Sequence, residues 1–238
     1  MMRAIMTKTL FVFLILLSAQ ALAFEVGGFS YTVIGATTNV EVTGRASDNT
    51  ATEIVIPATT LDGTTTYNVT TIGASAFFRN DLTSVIIPDS VTTIGDSAFN
   101  GNALASVIIG DSVTTIGRLA FFTNLLPSVT IPDSVTSIGD FTFGGNALIS
   151  VTFLGDFGTF NLKMFEENPD LETITYCQGA KGWPTTFTPA GTVSVTATEV
   201  ECAAPAPAGT PVPVSPLWLL GIMAGLLSLV AVRKLRKA

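Results

Sequence analysis

The 22 residues VTTIGDSAFNGNALASVIIGDS, Val91 to Ser112, return almost unchanged on both sides. VTTIGASAFFRNDLTSVIIPDS precedes them from Val69, and VTTIGRLAFFTNLLPSVTIPDS and VTSIGDFTFGGNALISVTFLGD follow from Val113 and Val135, four units without a gap. A fifth, worn unit starts at Phe157, keeps Phe165 and Asn168 in register, then slips by one residue so that Leu171 and Ile174 take the places of the earlier leucine and valine. A fixed period of this length marks stacked units that share one continuous core, because no single unit can bury its own apolar edge.

Each column of the repeat has a physical reading. Val69, Val91, Val113 and Val135, with Ile72, Ile94, Ile116 and Ile138, are apolar in every clean unit and point inward. Phe77, Phe99, Phe121, Phe143 and Phe165 form a column of rings, each with ~150 to 250 Å² to bury. The L-x-x-V-x-I stretch, as in Leu82, Val85 and Ile87, has the period-two alternation of a strand. Gly73, Gly95, Gly117 and Gly139 follow the isoleucine, where a turn with positive φ would be cheap only for glycine. Asn80, Asn102, Asn124, Asn146 and Asn168 precede the leucine, and their amides can bond the backbone of a neighbouring coil. The expected fold is mainly β: a solenoid of about five 22-residue coils with β-rich caps at both ends.

The pattern resembles the BspA-like leucine-rich repeats, through Ile94-Gly95, Ala98-Phe99, Leu104, Val107 and Ile109 recurring in register over 69 to about 176. That resemblance implies a right-handed coil with a parallel sheet on one face. It also implies a surface-exposed adhesin or interaction protein. Departures are Thr142 for the alanine, Gly110 for the proline after the second strand, and the degenerate fifth coil.

Outside the repeats the chain divides further. Residues 1–23 read as a secretory signal, with Arg3 and Lys8 ahead of an apolar core and Ala21-Leu22-Ala23 as a small-residue cleavage site. Residues 24–68 read as an N-terminal β cap, 69–178 as the repeats and 179–202 as the C-terminal cap. A Pro/Ala-rich linker, 203–216, leads to an uncharged run, 217–232, and a basic tail, 233–238. At about 1.5 Å per residue the run covers ~24 Å as a helix, short of a ~30 Å hydrocarbon core, so residues from Val212 on must contribute to a span. Arg233, Lys234, Arg236 and Lys237 place the tail on the cytoplasmic side. The whole C-terminus resembles the three-part sorting tails of Gram-negative bacteria, of the IPTL or exosortase type. This implies a membrane protease as a partner, although Val212-Pro213-Val214-Ser215 departs from the usual motif. The expected location is the envelope or surface of a Gram-negative cell, with the chain either anchored by this helix or cleaved from it.

Of eleven basic residues only five lie outside the signal and tail, against all eighteen acids, a balance of −13. Nucleic acid and anionic membrane surfaces are therefore poor direct partners. Cys177 and Cys202 both fall in the exported part, where a disulfide closing about 25 residues would stabilise by ~3 kcal/mol on the chain-entropy model. Two unrelated free thiols are the alternative.

Catalytic chemistry has little to stand on. The chain has no histidine, which removes the usual general base, the Ser-His-Asp and Cys-His arrangements and most zinc sites. The acid-rich DSVTTIGDSAFNGN at 89–102 has the composition of a calcium loop, but from Asp96 the third ligand position is Ala98 and the twelfth is Val107. Asp89, Asp111 and Asp133 share a register that Gly155 breaks, and they read as solvated corners. Glu166, Glu167, Asp170 and Glu172 read as a polar end to the fifth coil. No cofactor or metal is expected.

What remains is surface. Ser84, Ile86, Ser106, Ile108, Ser128, Thr130, Ser150 and Thr152 point outward on the strands as a nearly uncharged strip, and solenoids bind partners on extended faces of this kind. The expected function is a non-enzymatic binding or adhesion module for protein or glycan ligands. The alternative is an ice- or mineral-surface binder using the rows Thr70, Thr92, Thr114, Thr136 and Thr71, Thr93, Thr115, Ser137. It ranks second because adjacent threonines on one strand face opposite ways.

Overall fold

The computed structural model describes residues 22–156, 160, 162–183, 186–187 and 195–201. Met1–Cys202 is one compact unit, and Ala203–Ala238, a second, lies outside the described residues. In chain order the strands are β1 Ala23–Val26, β2 Phe29–Val33, β3 Asn39–Arg45, β4 Glu53–Val55, β5 Thr59–Asp62, β6 Thr65–Ile72, β7 Ser84–Ile86 and β8 Thr93–Ile94. They continue as β9 Ser106–Ile108, β10 Thr115–Ile116, β11 Ser128–Ile131, β12 Ser137–Ile138, β13 Ser150–Phe153, β14 Thr173–Cys177, β15 Thr186–Phe187 and β16 Val195–Val200. Among the described residues one 3-10 turn, Leu162–Phe165, stands in the worn coil.

The repeat folds as a parallel β-solenoid of about five turns. Its V-T-x-I segments make one ladder, β6-β8-β10-β12, which β3 extends in parallel and the antiparallel β1-β2-β3 meander closes. The L-x-x-V-x-I segments make the opposite, strand face. It consists of two parallel ladders, β4-β7-β9 and β11-β13-β14-β16, with β15 antiparallel at the far edge. Val151 pairs with Ile174 and Ser150 with Thr173, so the one-residue slip of the fifth coil is absorbed between Asn168 and Leu171, ahead of the sheet, whose pairing continues unbroken.

Between the faces lies one apolar core. Phe77, Phe99, Phe121 and Phe143 are fully buried and stack at centroid distances of 5.1 to 5.4 Å with planes within 7° of parallel. Phe29 stands edge-on against the first ring, and Phe165 continues the column at 6.1 Å. The asparagines form the polar counterpart. The Asn124 amide donates to Phe99 O and Phe121 O while its Oδ1 accepts from Leu104 N–H, and Asn146 and Asn168 repeat the pattern one and two coils on. Each side chain thus pairs buried carbonyls and amides that the turn would leave orphaned. Where alanine gives way to Thr142, the buried hydroxyl lies 2.7 Å from Gly139 O and 2.9 Å from Gly117 O and has an acceptor in either coil.

Two expectations change. Gly73, Gly95, Gly117 and Gly139 do not take positive φ; the residue two positions later, Ser75, Ser97, Leu119 or Phe141, is left-handed instead, at φ 56–58°. The glycines are there for contact between coils: a Cβ at Gly95 would sit 2.6 Å from Ala74 N, one at Gly117 2.5 Å from Asp96 N, and one at Gly139 would meet Arg118 N. The aspartate corners, exposed to solvent, are also intercoil acceptors. Asp89 Oδ1 takes the Asp111 N–H at 2.9 Å and Asp96 Oδ1 the Arg118 N–H at 2.8 Å.

The strand face is interrupted once. In the residue just before each strand, the N–H of Thr83, Ala105, Ile149 and Glu172 donates to the preceding coil. In the third coil that residue is Pro127, which has no N–H to give to Ala105 O. β9 and β11 form no ladder, and Val107 is only partly buried where Val85, Val129 and Val151 are buried.

Candidate binding face

The strand face gathers the predicted residues in register. Ser84 lies beside Ser106 and Ile86 beside Ile108; across the seam, Ser128 lies beside Ser150 and Thr130 beside Thr152. Their outward direction follows from the period of two: Val85, Val129, Ile131, Val151 and Phe153 between them are buried. Ile86 is 41% and Ile108 59% exposed.

The face is longer than the repeat pattern indicates. Val55 pairs with Ile86 and is 62% exposed, so an apolar column runs Val55-Ile86-Ile108. At the other end Thr173 and Thr175 continue the serine and threonine rows, with the Thr175 hydroxyl 2.9 Å from that of Thr152. The two ladders therefore differ in chemistry, apolar before the seam and hydroxyl-bearing after it. Ala105, Pro127 and Ile149, all exposed, line the lead-in to the strands, and no charged side chain stands on it or on the strands between Glu53 and Glu172. The stretch TEIVIP, Thr52 to Pro57, which carries the V-x-I-P pattern of the repeat strands with isoleucine in place of the valine, was the available signal for Val55. The slip in register is what hid Thr173 and Thr175.

On the opposite face Thr92, Thr114 and Thr136 are exposed, but their hydroxyls donate to Thr70 O, Thr92 O and Thr114 O at 3.1 to 3.2 Å. These hydrogens are directed along the solenoid into its own backbone.

Cys177 is buried and disulfide-bonded; its expected partner, Cys202, lies outside the described residues. Ala23, the last residue of the expected signal, already pairs with Thr32 in β1. The rest of that signal to residue 21, the 203–216 linker, the 217–232 run and the 233–238 tail also lie outside. Among the described residues no helix is long and apolar enough to cross a membrane, and no three of His, Cys, Asp or Glu gather closely enough to hold a metal ion.

Fold and face together define a leucine-rich repeat solenoid. The family model described as a BspA type leucine rich repeat region matches residues 70–186 in six copies. A leucine-rich repeat protein from Bacteroides capillosus is 33% identical, with 56% of this chain and 99% of that chain covered and a TM-score of 0.52. The chain belongs to the leucine-rich repeat proteins, and its repeats are of the BspA type. The pneumococcal vaccine antigen PcpA shares the fold at 17% identity and TM-score 0.51, over 68% of this chain and 45% of its own. A Bacteroides ovatus leucine-rich repeat protein is 25% identical, over 65% of this chain and 49% of its own, at TM-score 0.47. The chain thus spans nearly all of the first protein and about half of the other two. None of the curated proteins matches it.

Proposed function

We propose that the chain is an exported bacterial surface protein whose solenoid displays the strand face to macromolecular partners, binding protein or glycan ligands without transforming them. The observation that carries this reading is the face itself: an uncharged strip with Val55, Ile86 and Ile108 exposed in one register on a body whose balance is −13. Large apolar side chains aligned in the open mark contact surfaces, and their charge-free setting matches the composition of interface centres. Family membership supports a binding role. The signal-like N-terminus and the sorting-type tail support export and retention at, or release from, the envelope of a Gram-negative cell. The lack of histidine supports binding over catalysis.

The test is direct. Purified protein comprising residues 24–204 is applied to arrays of envelope proteins, host matrix proteins and glycans, and saturable binding is the expected outcome. No binding on any array would remove the proposal. Fractionation of the native cells assigns the tail: full-length chain in the membrane fraction marks an anchor, and a product ending near Pro213 marks a cleaved sorting signal.

A further inference from the structure

The asparagine ladder has an unfinished first rung, and we infer that it forms part of a small saccharide-binding cleft at the N-terminal end of the solenoid. This site is separate from the strand face and does not depend on it.

A shallow depression of about 410 Å³, open to solvent, lies beside the turns that precede β4 and β7, lined by Arg45, Asn49, Thr50, Thr52, Asn80 and Asp81. In the second coil Asn102 Oδ1 accepts from Asn80 N–H and Leu82 N–H at 2.9 and 3.0 Å, and its amide donates to both Phe77 O and Phe99 O. Asn80 is the same rung one coil earlier, and no preceding coil completes it. Its amide donates only to Phe78 O at 3.0 Å, and its Oδ1 has no partner among the described residues. A nearby donor is already committed, since Ala51 N–H goes to Asn49 Oδ1.

Hydrogen bonds tie the walls to the rest of the fold. Asn49 Nδ2 donates to Gly28 O at 2.8 Å, while the Arg45 guanidinium donates to Asn80 O at 2.8 Å and Ala51 O at 2.9 Å. Arg45 Nε is buried with no hydrogen-bond partner. Arg79 and Asp81, on either side of Asn80, hold left-handed φ of 52° and 57°, a conformation that non-glycine residues keep only where surrounding structure enforces it. What faces the opening uncommitted is the Asn80 amide oxygen, the Asp81 carboxylate and the hydroxyls of Thr50 and Thr52, with the remaining guanidinium hydrogens beside them.

The chemistry of this set selects its ligand. Acceptors and donors stand side by side, so the ligand brings hydroxyls, which can do both, at fixed spacing. One guanidinium and one carboxylate leave no net sign, so the ligand is neutral. A neutral polyol ring, the chemistry of a mono- or disaccharide, meets both conditions.

The experiment is saturation-transfer NMR, with affinities from titration, on the full chain against the methyl glycosides of glucose, galactose, mannose and N-acetylglucosamine. Asp81→Gly removes the carboxylate while its φ of 57° suits glycine, and Thr50→Phe fills the opening from an exposed position. The expected result is transfer to at least one glycoside, weakened by about tenfold or more in Asp81→Gly, as loss of a charged hydrogen bond implies. Thr50→Phe should abolish transfer, and Ile86→Glu/Ile108→Glu should leave it unchanged. No transfer to the unaltered chain, undiminished binding in both cleft variants, or binding of inorganic phosphate instead of the glycosides would overturn the assignment. Loss of transfer in the Ile86→Glu/Ile108→Glu variant alone would also overturn it, by placing the saccharide on the strand face.

Discussion

The asparagine column shows how much of this fold rests on single side chains. Asn124 is 4% exposed, and its removal leaves Leu104 N–H without its partner and takes one of two amide donors from each of Phe99 O and Phe121 O. Asn124→Ala should destabilise by about 2 to 4 kcal/mol, read from the urea midpoint at unchanged slope; a loss below about 1 kcal/mol would deny the ladder its role. The glycines offer a sharper contrast. Gly117→Ala forces a methyl into the backbone of the second coil and should cost on the order of 2 to 3 kcal/mol as overpacking. Gly101, at φ 71° and facing only the flexible Arg79 side chain at 3.0 Å, should cost nearer 1 to 2 kcal/mol, the strain of a left-handed alanine. Equal costs would mean that turn geometry governs both sites. The sequence showed that glycine was needed at 95, 117 and 139 but not why. The left-handed positions are held by Ser97, Leu119 and Phe141, residues with no preference for that conformation, and the bond each N–H donates to the following coil is what fixes them there.

At the scale of the strand, alternation in L-x-x-V-x-I was enough to place the inward and outward residues of four coils. It fell short at both ends: β4 lacks the I-G-x-x-A-F half of the repeat that would have put Val55 in register, and the fifth coil is one residue out of step. The seam was present in the sequence only as Pro127, and a proline gains meaning once its N–H is known to be the one that ties each strand to the coil before. Backbone amides of 106–109 should exchange with deuterium faster than those of 84–87, which lie within a continuous ladder. Pro127→Ala, which restores a donor opposite Ala105 O, should slow them. Equal protection in both segments, or no change in the variant, would contradict the account of the seam.

For the whole molecule, repetition converts weak local features into an extended surface. A lone exposed isoleucine is ordinary on any protein, whereas Val55, Ile86 and Ile108 at ~4.8 Å spacing form a column whose chemistry is uniform along three coils. Since their side chains are open to solvent, charging them should leave stability within about 0.5 kcal/mol while spoiling an apolar contact. The most direct test is therefore binding to the array ligands by three forms of the protein matched in melting temperature: unaltered, Ile86→Glu/Ile108→Glu on the strand face, and Thr92→Glu/Thr114→Glu on the opposite face. The strand-face variant should lose affinity by tenfold or more while the opposite-face variant binds as the unaltered protein does; equal binding by all three, or loss only in the opposite-face variant, would contradict a contact surface on the strand face.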